Sequence, residues 1–138
     1  MRKIISVALT AAAVGTGLMV AASPALAVGS CTSGNFCLFE NNDFNKGNPN
    51  NHWLDLKHDD FDLRNNYWYD NNGDQTNDSI DNETSSVKNR IGCNVMLWQD
   101  VGGSGAHTKS ISGTDDGFLE NNVIGDNRLS AVDICTTA

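Results

Sequence analysis

The 138-residue sequence lacks helix signals, recognisable catalytic motifs and an ample supply of basic residues. Beyond Ala27, no segment sustains apolar residues at i, i+3, i+4 and i+7 with caps at its ends, which excludes a helical bundle. Lys and Arg number 9 against 17 Asp and Glu, a formal net charge of −8. A chain this acidic repels phosphate backbones and anionic membrane surfaces, so no nucleic acid and no membrane partner is expected. There is no nucleophile elbow, H-E-x-x-H helix or Walker loop. A non-catalytic protein is expected.

The segment from Met1 to Ala27 stands apart. Arg2 and Lys3 precede an Ala-rich apolar run from Ile4 to Val20, and Ala25-Leu26-Ala27 is a small-x-small cleavage site. That is the layout of a secretory signal peptide. A membrane anchor is disfavoured by Gly15, Thr16 and Gly17 within the run and by the lack of a second hydrophobic span. The expected organisation is a signal peptide over 1–27 and one secreted, extracellular, monomeric domain over 28–138. Cleavage removes two basic and no acidic residues, leaving 7 against 17. Such acidity suits a cation, extracellular solubility or a basic protein partner.

No C-x-x-C pair exists and the histidines are scattered, which argues against zinc. The four cysteines, Cys31, Cys37, Cys93 and Cys135, argue instead for two disulfides with three connectivities open. Spacing favours Cys31–Cys37 as a local clasp. Cys93–Cys135 would then staple the first and last strands of a second unit.

What the chain does contain is short apolar bursts separated by Asn, Asp and Gly clusters, the pattern of many short strands in an all-β sandwich. Val87, Val95, Val132 and Ile134 are expected to face its interior, and Phe39, Phe44, Trp53 and Trp98 to be core rather than a ligand platform. Two phrases also recur in the same order. Leu38-Phe39-Glu40 and Leu97-Trp98-Gln99 each precede Gly/Asn-rich turns; Asp81-Asn82-Glu83-Thr84-Ser85-Ser86 and Asp126-Asn127-Arg128-Leu129-Ser130-Ala131 follow further on. A duplicated supersecondary unit is implied.

The halves differ in length. The offset from Phe39 to Asp81 is 42 and that from Trp98 to Asp126 only 28, an excess of 14 that is expected within Lys57 to Ile80. That stretch is dense in Asp and Asn around Tyr67-Trp68-Tyr69. It reads either as a functional, partner-binding loop or as a polar flap pinned over the core. Asp70-Asn71-Asn72-Gly73-Asp74 has glycine at the fourth rather than the sixth position of an EF-hand loop and is expected to be a turn. His58-Asp59-Asp60-Phe61-Asp62 could touch a metal, but as a charge run it is expected to be a solvated face.

Phe39-x4-Phe44 followed by Gly47 resembles the aromatic corner of βγ-crystallin Greek-key motifs. Trp98-x4-Gly103-Ser104-Gly105 resembles the same corner with glycine for its second aromatic. Asp81 to Ser86 matches that family's calcium signature at every position, and Asp126 to Ala131 at all but the last. The resemblance covers Phe36 to Cys135 and implies two Greek keys forming a crystallin-like sandwich. It also implies paired calcium sites, each built from the hydroxyl and a variable-position carbonyl of one phrase, an Asp/Asn side chain of the other, and a turn carbonyl. One site would use Ser85, the Glu83 carbonyl, Asp126 or Asn127, and the Glu40 or Gln99 carbonyl. The other would use Ser130, the Arg128 carbonyl, Asp81 or Asn82, and the remaining turn carbonyl. Hard oxygen ligands of this kind suit calcium. The ordinary alternative is that these Ser and Asx side chains cap turns.

A narrower resemblance is to secreted bacterial proteins of a metallopeptidase-inhibitor family. It is carried by Cys31 to Cys37 running into Leu38-Phe39-Glu40-Asn41, and by Asn82 to Asn89 leading into Gly92-Cys93. It implies inhibition of an extracellular peptidase by occupation of its cleft. The alternative is a calcium-stabilised structural or stress-related module without inhibitory activity.

Overall fold

The computed structural model describes residues 30–135, and these are all β, with no α-helix among them. The signal peptide expected over 1–27 lies outside the described residues. No helix among them is long and apolar enough to cross a membrane.

Among the described residues, nine strands form two sheets. They are β1 (Phe36–Phe39), β2 (Trp53–Leu56), β3 (Tyr67–Tyr69), β4 (Gln75–Ser79), β5 (Ser86–Asn89), β6 (Val95–Asp100), β7 (Ser104–Ser110), β8 (Asp115–Asp116) and β9 (Ala131–Ile134). The first sheet runs β4-β3-β2-β1-β5-β8 and the second β7-β6-β9. β8 belongs to the second half of the chain yet pairs with β5 of the first. The reverse loan is a single bridge, in which Asp60 of the first half exchanges backbone hydrogen bonds of 2.8 and 2.7 Å with Val132 of β9. Each half thus completes the other's sheet. This is the double Greek key expected from the repeated phrases.

Alternation along β1 and β6 explains the core. Phe36 and Leu38 on β1, with Val95 and Leu97 on β6, point into an interior shared with Leu63, Trp68, Ile80, Val87, Leu119, Ile124, Leu129 and Val132. Ile134 is only partly buried against it. The opposite face of β1 is also covered: Cys37 is joined to Cys31, and Phe39 packs edge-on against Phe44 at 5.7 Å. Of the four aromatics expected in the core, Phe39 is buried while Phe44, Trp53 and Trp98 are half-buried. The disulfides are Cys31–Cys37 and Cys93–Cys135, the favoured pairing.

The structure reveals a further repeat, D-x-x-L-x-N-N, at Asp60 to Asn66 and Asp116 to Asn122. In both copies the Asp side chain accepts from the backbone N–H two residues on, at 3.0 Å, and from the final Asn side chain. Both leucines (Leu63, Leu119) open a single 3₁₀ turn and are fully buried. Their N–H groups donate to Ser130 O and Ser85 O, which anchors each loop to the other half's repeated phrase. The run His58 to Asp62 is therefore not simply a solvated face. Asp60 orders a turn, and Asp59 Oδ1 accepts from Ile134 N at 2.7 Å.

The excess in the first half is a hairpin rather than a loop. The offset from Asn66 to Asp81 is 15 and that from Asn122 to Asp126 only 4, so most of the extra chain builds β3 and β4. Asp70 closes its turn by accepting from Asn72 N and Asp74 N at 2.8 and 3.0 Å. The β-prone Tyr-Trp-Tyr run alternates sides, so Trp68 is fully buried while Tyr67 is exposed. Trp68 pins the hairpin to the core, Tyr69 packs against Trp53 with ring centroids 5.7 Å apart, and Tyr67 is left exposed.

Candidate functional site

The two calcium-signature phrases lie side by side and hold each other. Asn82 and Asn127 both take left-handed backbone conformations, with φ of 60° and 52°. Asn tolerates this region better than most residues because its short side chain bonds locally. These kinks let Asn82 N donate to Leu129 O at 3.0 Å and Asn127 N donate to Thr84 O at 3.2 Å. The side chains follow the same cross-pairing. Ser85 Oγ donates to Asn127 Oδ1 at 3.2 Å, and Ser130 Oγ lies 3.5 Å from Asn82 Oδ1.

Around the first of these contacts is a cleft of about 480 Å³ lined by Glu40, Asn41, Asn42, Asn82, Glu83, Ser85, Asp126 and Asn127. It brings together six of the sequence-predicted residues. Glu40 rather than Gln99 is the turn residue beside Ser85, because Ser85 N is bonded to Phe39 O at 3.0 Å. By the same rule Ser130 N is bonded to Trp98 O at 3.0 Å, which sets Gln99 near the second phrase. Asp81, Gln99, Arg128 and Ser130 do not line the cleft. The side chain of Arg128 lies against Gly125.

The donor chemistry fits a hard cation. Three carboxylates and only neutral amide and hydroxyl groups line the cleft, with no basic residue among them. Asp81 Oδ1 and Asp126 Oδ1 are both buried without a hydrogen-bond partner, and so is Asn42 Oδ1. A buried acceptor left unpaired costs on the order of 1–3 kcal/mol, more when it is charged. The same carboxylate oxygen is thus left without a partner in both phrases. Burial, with Asp78 and Glu40 nearby, raises the Glu83 carboxyl above its ordinary range, while the Trp68 indole N–H opposes that shift.

The terminal residue of each phrase has a different task. Ser86 Oγ donates to Asn41 O at 2.7 Å and accepts from Phe44 N at 3.1 Å, latching the left-handed turn that follows β1. Ala131 leaves the second half without this latch. Residues that sequence reasoning missed are Asn41, Asn42 and His52. The first two follow the Leu-Phe-Glu phrase directly, and their place in a turn beside Ser85 was the available signal. His52 has no such signal, because only the β1–β2 register places it opposite Glu40.

The family model of peptidase inhibitor family I36 matches residues 24–110, which take in β1 through β7. A βγ-crystallin from Ciona intestinalis is similar in structure, with 22% identity and a TM-score of 0.52, over 72% of this chain and 98% of that one. A domain solved in connection with the evolution of the eye-lens βγ-crystallin fold aligns with a TM-score of 0.55 at 14% identity, over 75% of this chain and 86% of that one. At such identities the likeness establishes the fold alone. No curated protein matches the chain.

Proposed function

This chain belongs to peptidase inhibitor family I36, and on that premise we propose that it is a secreted, non-catalytic inhibitor of an extracellular metallopeptidase. The family match is the observation that carries the reading. The surface offered for cleft occupation is the β3–β4 hairpin, an edge of the six-stranded sheet that exposes Tyr67. Its turn is held by the Asp70 bonds and its base by buried Trp68, so little ordering entropy is lost on docking. The two disulfides suit an extracellular setting. Titration against a panel of secreted metallopeptidases is expected to show inhibition at micromolar concentration, weakened at least tenfold by Tyr67→Ala. No inhibition of any panel member at that concentration counts decisively against the proposal.

A second reading rests on the orphaned Asp126 oxygen at the cleft and its counterpart on Asp81 in the other phrase: paired sites at the two phrases hold calcium, which stabilises the fold. Residues suited to hold it are Ser85, Asn127, Asp126 and the Glu40 and Glu83 carbonyls, with Ser130, Asn82, Asp81 and the Gln99 and Arg128 carbonyls as the weaker counterpart. Bound only to the folded state, calcium at 100 times its Kd adds about 2.7 kcal/mol. Melts with calcium and with chelator should separate by several degrees, and Ser85→Ala should narrow that gap more than Ser130→Ala. Superimposable melts would rule this reading out.

A further inference from the structure

Beside the cleft, and sharing one residue with it, is a cluster of different chemistry. Glu40 follows β1 and His52 precedes β2, so they form the next cross-strand pair after Phe39 and Trp53. Glu40 N donates to His52 O at 3.3 Å, and such opposed residues carry Cβ atoms about 4.5–5.5 Å apart. Asp78 arrives from β4 of the inserted hairpin. His52 Nδ1 lies 2.8 Å from Glu40 Oε2 and 3.9 Å from Asp78 Oδ2. The ligand-capable atoms of all three lie within 4.8 Å of one another.

The imidazole nitrogen is the decisive atom. It is shut off from solvent and makes no hydrogen bond, because its close approach to Glu40 Oε2 lacks hydrogen-bond geometry. The residue is otherwise firmly held: the His52 side chain is 15% exposed, and its carbonyl accepts from Asn45 Nδ2 at 2.7 Å. A buried nitrogen 2.8 Å from one carboxylate oxygen and 3.9 Å from another, with no hydrogen bond of its own, is a ligand atom left to be used.

We propose that Glu40, His52 and Asp78 form a binding site for a divalent transition-metal ion of the zinc type. Tetrahedral zinc, with bonds of about 2.0–2.2 Å to nitrogen and oxygen, sets ligand atoms about 3.3–3.6 Å apart. The observed 2.8 and 3.9 Å bracket that spacing. Asp78 is 48% exposed, which provides an entry path and freedom to close. The fourth position falls to water or to Glu83, whose carboxyl is close enough to Asp78 to share a hydrogen bond. An imidazole ligand selects this ion over calcium, which takes oxygen ligands only. Because Glu40 contributes its side chain here and also lines the neighbouring cleft, both sites draw on one turn. The inserted hairpin supplies the third ligand, so the site exists only in the longer half. It does not depend on the inhibitor reading.

The test is calorimetric titration of the oxidised protein with Zn²⁺ in the presence of excess Ca²⁺. One equivalent of zinc is expected to bind, with His52→Gln weakening it at least 100-fold and Asp78→Asn, at an exposed position, about tenfold. His107→Gln, which alters an exposed histidine on β7, should leave the affinity unchanged. In the same samples zinc should shift the His52 ring signals in NMR and not those of His58 or His107. Absence of binding up to 100 µM zinc overturns the site, as does affinity that survives His52→Gln or falls equally in His107→Gln. A His52→Gln chain that fails to fold leaves Asp78→Asn and the ring shifts to decide.

Discussion

The two halves of the molecule share a hydrogen-bond framework and exchange the residues that fill it. Asp43 N donates to Gly117 O in the first half, and Gly102 N donates to Phe61 O in the second. Around the first bond, bulky Phe44 lies over Gly117; around the second, bulky Phe61 lies over Gly103. Phe44 and Gly103 hold matching places five residues after Phe39 and Trp98. Phe61 and Gly117 hold matching places after Asp60 and Asp116. The aromatic that one half takes from its own corner is supplied to the other half across the interface. One ring per site is what the space demands, and either chain segment can provide it.

The sharpest way to break the comparison is at the staples, which close loops of very different length. Cys93–Cys135 has a sequence separation of 42 and Cys31–Cys37 of only 6. In the chain-entropy account the long closure contributes about 4 kcal/mol and the short one about 2.4 kcal/mol. Denaturant melts should show Cys93→Ala/Cys135→Ala losing more than Cys31→Ala/Cys37→Ala by about 1.5 kcal/mol. Equal losses would mean that native strain or packing, rather than loop closure, sets the contribution.

The aromatic exchange gives a double-mutant cycle. Phe44 sits at φ 59°, in a left-handed run with Asp43 and Asn45, and the second half places Gly102 and Gly103 where Asp43 and Phe44 stand. Phe44→Gly relieves that strain but loses the edge-on contact with Phe39 and the Lys88 ammonium 4.2 Å from its ring, a net cost of about 1 kcal/mol. Gly117→Phe alone overpacks against Phe44, costing about 1–3 kcal/mol. Together they recreate in the first half the arrangement of the second. A favourable coupling of about 1–2 kcal/mol is expected from melts of the four proteins. Additive losses would show that the two corners are not interchangeable.

Much of this architecture is legible in the sequence because it rests on local patterns. Short apolar bursts, turn residues at fixed offsets and the repeated phrases give the strands and the duplication, while the crystallin resemblance implies the pairing of Ser85 with Asp126 or Asn127. The D-x-x-L-x-N-N repeat is equally legible and is hidden only by its Asp-rich surroundings in the first copy. The β3–β4 hairpin reads as a loop because Gln75 to Ser79 is wholly polar, an exposed edge strand with no apolar alternation. The Glu40–His52–Asp78 cluster leaves no sequence signal at all. Its members are scattered along the chain and meet only through three strand registers and an insertion.

A finer test lies in the row of residues that crosses each sheet at Cys37 and Met96. In the first half the row reads Asp55, Cys37, Lys88; in the second it reads Lys109, Met96, Asp133, so the charges are inverted. Burial raises the Asp55 carboxyl above its ordinary range, with the Asn35 amide at 2.8 Å and Lys57 opposing the shift. A raised acid binds its proton more tightly in the folded state, so its ionisation costs stability as pH climbs through the interval above 3.8. Asp55→Asn keeps an acceptor for Asn35 and removes that cost. Because the site is only half-buried and screened by solvent, the gain at pH 7 should be a few tenths of a kcal/mol, roughly within the range of exposed charge effects. It should shrink as the pH falls into the ordinary carboxylate range, where the folded wild type takes up its proton before the unfolded chain does. Melts of both proteins from pH 7 to 4 measure the difference. A gap that widens in acid would mean that Asp55 is held charged by Lys57, and that the inverted row is an ion-pair device in both halves.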